Sequence, residues 1–244
     1  MSVTKDITIL ALTKMHGGVC TAGIDASGQW VRPVRPAPAR QQPSHQQSSH
    51  SPTDYCLLPL DFFHGGQSHL VNLGVTRCTL DAPAPQAPHS EDWTLDLKHK
   101  PLFTRKLSTS EQTDFLAAHA ESTLALAEAG RSLTLIKPAA YSFTFNRNQT
   151  GDDVAVRASF TLGATKINDI GCTDLRMRAL GRKLLAQSNN APCTLDQAGF
   201  ARQGKAATYL AVGLSRLHQG KHWLIVVGVH TLPELAVEID YAKL

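Results

Sequence analysis

Residues 7–34, ITILALTKMHGGVCTAGIDASGQWVRPV, decide the fold. Ile7-Thr8-Ile9-Leu10-Ala11-Leu12 is a short apolar run, Val19 to Ile24 follows Gly17-Gly18, and Gln29 to Val34 follows Ser27-Gly28. Runs of this length divided by glycine turns predict a β-meander.

Working outward, the strand pattern resumes at Tyr55 to Phe63, Leu70 to Leu80 and Asp92 to Leu97. Between the two series lies Pro36 to Pro52, built of Pro, Gln, Ser, His and Ala. It offers almost nothing to bury and is expected to be a long loop of disordered type, near 36–53. A helix is expected from Ser110 to Ala129, with Ser110 as its cap, Glu111 and Asp114 in the first turn, and Phe115, Leu116, Ala120, Leu124 and Ala127 at helical spacing before Gly130. The second half repeats the theme. Strands are expected at Ser132 to Pro138, Tyr141 to Phe145, Val154 to Leu162 and Ala164 to Ile170, with a polar hairpin over Asn146 to Asp153. A basic helix follows from Asp174 to about Gln187, then a closing hairpin of Thr208 to Ser215 and Lys221 to Val229. The expected fold is mainly β with a few helices (β+α): two tandem OB-like Greek-key β-barrels joined by a helical segment, over residues 1–130 and 131–244.

Composition fits this reading. The 244 residues are 42% hydrophobic and 18% charged, a folded globular balance, and the length alone leaves one large domain or two small ones open. The net charge of +4 leans towards anionic partners but falls short of a DNA-coating protein. Five cysteines, Cys20, Cys56, Cys78, Cys172 and Cys193, are widely spaced without a C-x-x-C pair, which argues for reduced thiols in a cytoplasmic protein. The densest apolar run, Trp223 to Val229, is far short of the ~20 residues that span a bilayer, so no membrane partner is expected.

Three N-terminal stretches resemble the dual OB-fold domain (DuOB) family: Ile9-Leu10-Ala11 with Lys14, Gly17 to Gly23, and Gly28-Gln29-Trp30-Val31-Arg32-Pro33-Val34. Ser132 to Lys137, Arg157-Ala158-Ser159-Phe160 and Tyr209 to Ser215 agree in order, so the resemblance spans nearly the whole chain. It implies two OB barrels in tandem and a nucleic-acid or nucleotide-binding role, often beside bacterial defence or conflict genes. It supplies no catalytic residue set.

Two groups are candidates for that role. Lys14, Trp30 and Arg32, with Cys20, come from consecutive strands and turns, and an OB face stacks bases on aromatics while Lys and Arg track phosphates. Trp30 as core and Arg32 paired with a carboxylate such as Asp25 is the competing reading. The second group is the 174–187 helix, where Met177, Leu180 and Leu184 form an apolar stripe flanked by Arg176, Arg178, Arg182 and Lys183, four cations expected to face solvent. Arg157, Lys166, Arg202 and Lys205 add to these four against Asp169, Asp174 and Asp196, a local surplus above the whole-chain total. Tyr141 and Phe143 are further candidates for stacking. His218 and His222 straddle a turn without a third ligand, and neither His64-Gly65-Gly66 nor Asn146 to Asp153 has the context of a phosphate loop, so neither a metal nor a cofactor is expected. Asp169, Asp174, His230 and Cys20 are the residues through which catalysis could enter, but no catalytic spacing joins them.

The expectation is thus a non-catalytic, cytoplasmic nucleic-acid-binding protein, a recognition subunit of a bacterial defence or conflict assembly that binds single-stranded or structured RNA or DNA. Alternatives are an interaction adaptor that docks other subunits of such an assembly, or an enzyme acting on a nucleotide or nucleic acid.

Overall fold

The computed structural model describes residues 2–15, 18–36, 56–126 and 128–241. The elements in chain order are β1 (Val3–Met15), β2 (Gly18–Asp25), β3 (Trp30–Val34), α1 (Pro59–Phe62), β4 (Phe63–His64), β5 (Gln67–Ser68), β6 (Gly74–Pro83), β7 (Asp92–Leu95), β8 (Leu102–Lys106), α2 (Thr109–His119) and β9 (Ala120–Glu121). There follow β10 (Leu133–Ile136), β11 (Ala140–Arg147), β12 (Val154–Leu162), β13 (Thr165–Cys172), α3 (Leu175–Gln187), β14 (Cys193–Asp196), α4 (Gln197–Arg202), β15 (Ala207–Leu214) and β16 (Leu224–Leu232).

In the first sheet β1 pairs with β2, β2 with β3, β3 with β7, β7 with β6, and β6 returns to β1, closing a five-strand barrel to which β8 is added. Every one of these pairings is antiparallel except β3 with β7. That is the Greek-key circuit of an OB barrel. The second sheet repeats it through β11, β12, β13, β16 and β15, again with one parallel pair, β13 with β16. Here the opening strand is split. Pro138 has no amide hydrogen to donate to a ladder, so β10 and β11 are two halves of one bent strand, one paired with β15 and the other with β12. This sheet also takes β9 as an edge strand ahead of β10.

The sequence-based expectations differ from the structure in several places. The strand expected over Tyr55 to Phe63 does not run through Leu58 to Phe62, and Tyr55 lies outside the described residues: after the Leu57 bridge to Val19, Pro59 takes the first helical position of α1, where its missing N–H costs nothing, and the Asp61 carboxylate accepts from the Leu58 amide at 2.7 Å. The cap of α2 is Ser108, not Ser110, because Ser108 and Glu111 form a reciprocal capping box. That helix ends at His119, since Ala120 and Glu121 leave it to pair with Leu135 and Ile136. The strands β8 and β14 and the helix α4 were not anticipated, and Ala127 and all but Pro36 of the Pro36 to Pro52 loop lie outside the described residues. α3 matches its expected span, capped by Asp174, whose Oδ1 accepts from the Met177 amide at 2.8 Å.

Each barrel has its own core, and a third apolar cluster joins them. Leu10, Ala22, Ile24 and Leu73 from the first pack with Leu133, Leu135, Tyr209 and Val227 from the second. At this junction β16 crosses β1 so closely that a Cβ on Gly228 would collide with the Leu10 carbonyl oxygen. The same carbonyl accepts from His230 Nε2 at 2.9 Å. The start of α3 is buried there too, with Leu175 inserted into the first barrel's core.

Candidate nucleic-acid interface

A cleft of about 340 Å³ opens on the first barrel beside the β2–β3 turn. Its walls include Trp30, Trp93, Lys5, Gln29, Glu91 and Arg131. The parallel pairing of β3 with β7 sets Pro33 opposite Trp93, which brings two tryptophans from distant parts of the chain into one cleft. Both are half-buried. Lys5 lies over the Trp93 ring, 5.0 Å from its centroid, and is held by Asp25 at 2.5 Å. Arg131 is paired with Glu121. The volume is in the range of small-molecule pockets, and the combination of aromatic faces, cations and polar Gln29 and Ser90 suits a planar heterocycle.

Behind the cleft, charges from both barrels interlock. Arg32 bonds Asp92 at 2.5 Å and lies 3.1 Å from Glu91, and Arg216 of the second barrel reaches the other oxygen of Asp92. Ser132 donates its hydroxyl to Glu91, which leaves the Ser132 oxygen to accept from His89 Nδ1–H at 2.7 Å. That fixes the tautomer of His89 and leaves Nε2 with its lone pair, buried and with no partner among the described residues. Burial keeps His89 neutral by lowering its pKa. For Glu91, burial pushes the carboxyl up, but His89, Arg32 and Ser132 outweigh it and hold it at about 2.

The residues singled out from sequence are divided among different surroundings. Trp30 is in the cleft, and Arg32 is committed to the Glu91 and Asp92 carboxylates rather than to Asp25. Lys14, at the end of β1, meets Asp153 of the β11–β12 hairpin at 2.9 Å. Arg178 and Arg182 converge on the same carboxylate, at 2.5 and 3.1 Å, so three cations from two barrels surround one anion. Burial raises the Asp153 pKa, but hydrogen bonds from Lys14, the Val154 amide and Arg178 bring it well below the usual range. Lys183 is exposed. Of the four helix cations expected to face solvent only Lys183 does so fully: Arg178 and Arg182 are half-buried against Asp153, and Arg176 is 4% exposed and donates to Glu234 at 2.7 Å and to the Val229 carbonyl at 2.5 Å. Its position faces the junction because α3 packs its N-terminal turn against both barrels.

Tyr141 and Phe143 are likewise not presented for stacking. Both point inward from β11 and pack with Phe200, and the Tyr141 hydroxyl meets that of Thr208 at 2.6 Å. Asp169 is an exposed partner of Arg157, whereas Asp174 is buried and accepts from the Met177 and Val229 amides. His230 is buried against Leu10, so these residues do not converge on a common cleft. Among the described residues no three His, Cys, Asp or Glu side chains gather as a metal site, and no helix is long and apolar enough to cross a membrane.

Sequence reasoning missed Trp93, Lys5, Arg131 and Glu91. The signal that could have found Trp93 is the OB circuit itself, which places the fifth strand of a barrel beside the third. Two OB circuits in succession define a tandem OB-barrel protein. The chain belongs to the dual OB-containing domain family, whose model matches residues 5–229. Comparison with curated proteins returned no match.

Proposed function

We propose that this protein binds single-stranded nucleic acid without chemistry of its own, seating one base in the Trp30–Trp93 cleft and leading the backbone along the basic barrel junction. The observation that carries the reading is the cleft: two tryptophans and two cations on an OB barrel, in a family whose fold commonly serves nucleic-acid binding. Lys14, Arg178, Arg182 and Lys183 supply a cationic surface in which a single carboxylate, Asp153, offsets three of the charges. Phosphates meeting that surface would add to Asp153 as counter-charge. Arg32 and Arg176 act in this scheme from beneath, by fastening the barrels in place. The proposed setting, a recognition subunit of a cytoplasmic bacterial defence or conflict assembly, rests on the family resemblance alone.

The test is fluorescence anisotropy with labelled short DNA and RNA single strands at low and moderate salt. Binding should weaken steeply with salt, since each phosphate contact releases counterions. Trp30→Ala and Trp93→Ala should each weaken it by about 5- to 150-fold, the equivalent of ~1–3 kcal/mol per stacked base. Absence of binding at low salt, or variants that bind like the parent, would refute the reading.

An adaptor role has one observation in its favour. The β15–β16 hairpin carries Leu217 at 66% and Trp223 at 48% exposure beside Lys221, an apolar and cationic tip suited to a protein partner.

A further inference from the structure

We propose that Cys20 and Cys56 form a redox-active dithiol that peroxide converts to an intramolecular disulfide, a modification site separate from the base-binding cleft. The two sulfurs stand 3.5 Å apart. Their placement follows from backbone pairing: Val19 and Leu57 exchange both amide hydrogen bonds, at 2.8 and 2.9 Å, in an antiparallel bridge. The next facing pair is Cys20 with Cys56, in the non-hydrogen-bonded position, where Cα atoms lie about 4.5 Å apart, inside the ~4.4–6.8 Å that a disulfide requires. Closure therefore needs a side-chain adjustment, not a rearrangement of strands.

The surroundings divide the labour between the thiols. Residue for residue Cys20 is half-buried and Cys56 fully buried. The hydrogen bond that Cys20 shares with Cys56 and the field of the Arg32 and Arg216 guanidinium groups lower the Cys20 pKa despite burial. The Cys56 pKa is raised by its hydrogen bond to Cys20 and by burial. Cys20 is consequently the nucleophile and Cys56 the resolving thiol.

The chemistry balances with hydrogen peroxide as oxidant. The Cys20 thiolate attacks one peroxide oxygen, the O–O bond breaks, and the departing hydroxide takes a proton from solvent to leave as water. The resulting Cys20 sulfenic acid is attacked at sulfur by Cys56. An S–S bond forms, the S–O bond breaks, and the Cys56 proton leaves with the hydroxyl as a second water. Two thiols are oxidised and one peroxide is reduced. Burial instead raises the pKa of Cys78 to about 12 and also raises those of Cys172 and Cys193, so these three are poor competitors.

The experiment treats the full chain with a small excess of hydrogen peroxide, quenches unreacted thiols with an alkylating agent, and maps the products by mass spectrometry. The expected product is a chain about 2 Da lighter before alkylation. Its Cys20 and Cys56 peptides should be linked, with the other three cysteines alkylated. In Cys56→Ser the reaction should stop at the Cys20 sulfenic acid, trapped by dimedone, whereas the wild type should yield little dimedone adduct. Linkage through any other cysteine, oxidation of Cys20 without linkage in the wild type, or no reaction at either thiol would overturn the proposal. Should Cys56→Ser not fold, the wild-type map alone decides. None of these readouts depends on nucleic-acid binding.

Discussion

Replacing Glu91 with glutamine tests the charge lattice behind the cleft. The carboxyl is held at about 2 against an ordinary value of 4.5. At ~1.36 kcal/mol per tenfold change in proton affinity, that difference is worth about 3 kcal/mol of folding stability. The sign follows from proton uptake: between pH 4.5 and 2 the unfolded chain binds a proton at this carboxyl while the folded chain resists it. The contribution is therefore complete above pH 4.5 and lost as pH falls through 2. Glutamine keeps the shape and one acceptor but removes the charge facing Arg32. Glu91→Gln should thus cost about 3 kcal/mol at pH 7, with the deficit shrinking towards zero near pH 2. Urea unfolding monitored by tryptophan fluorescence at pH 7, 4.5, 3 and 2 gives the comparison, and subtraction of the two proteins removes the contribution of other carboxylates. A deficit that stays constant across this range would refute the electrostatic account and leave only a packing effect.

Two further outcomes follow from buried groups. His230 is held neutral by burial with its pKa down to about 3, so the wild type should lose stability as pH falls from 6.5, where the unfolded chain begins to protonate. His230→Asn should flatten that part of a pH series of urea midpoints, and an unchanged slope would contradict the assignment. A Cβ at position 181 would lie 2.6 Å from Phe145 Cδ1 and 2.8 Å from Val154 Cγ2, both in the second core. Gly181→Ala should therefore destabilise by about 1–3 kcal/mol even though alanine is the better helix former by ~1 kcal/mol; a stabilised variant would show that α3 shifts to admit the methyl.

The barrel strands were largely legible because they are short apolar or alternating segments set off by glycine turns, as in Ile7 to Leu12 and Val154 to Leu162. α3 was legible from the stripe of Met177, Leu180 and Leu184. Elements whose identity depends on pairing were not: Leu102–Lys106 is mostly exposed and is a strand through its bonds to β6, and Cys193–Asp196 through those to β11. The same limit governs the site. Trp30 stood out beside Arg32 in sequence, but its companion Trp93 is defined only by the β3–β7 pairing. Helix periodicity placed Arg176 on a flank of α3. It could not show that β16 covers that flank through the Val229 carbonyl, nor that Glu234 waits there for the guanidinium.

The cluster that joins Leu10 and Ile24 to Leu135 and Val227 makes the barrel boundary part of the hydrophobic interior. Separating the barrels would wet that surface, so neither can loosen while the other stays intact without exposing it. The pair thus behaves as one thermodynamic unit: a ligand bound at the first barrel's cleft would stabilise the whole chain against heat, including strands of the second barrel that lie far from it.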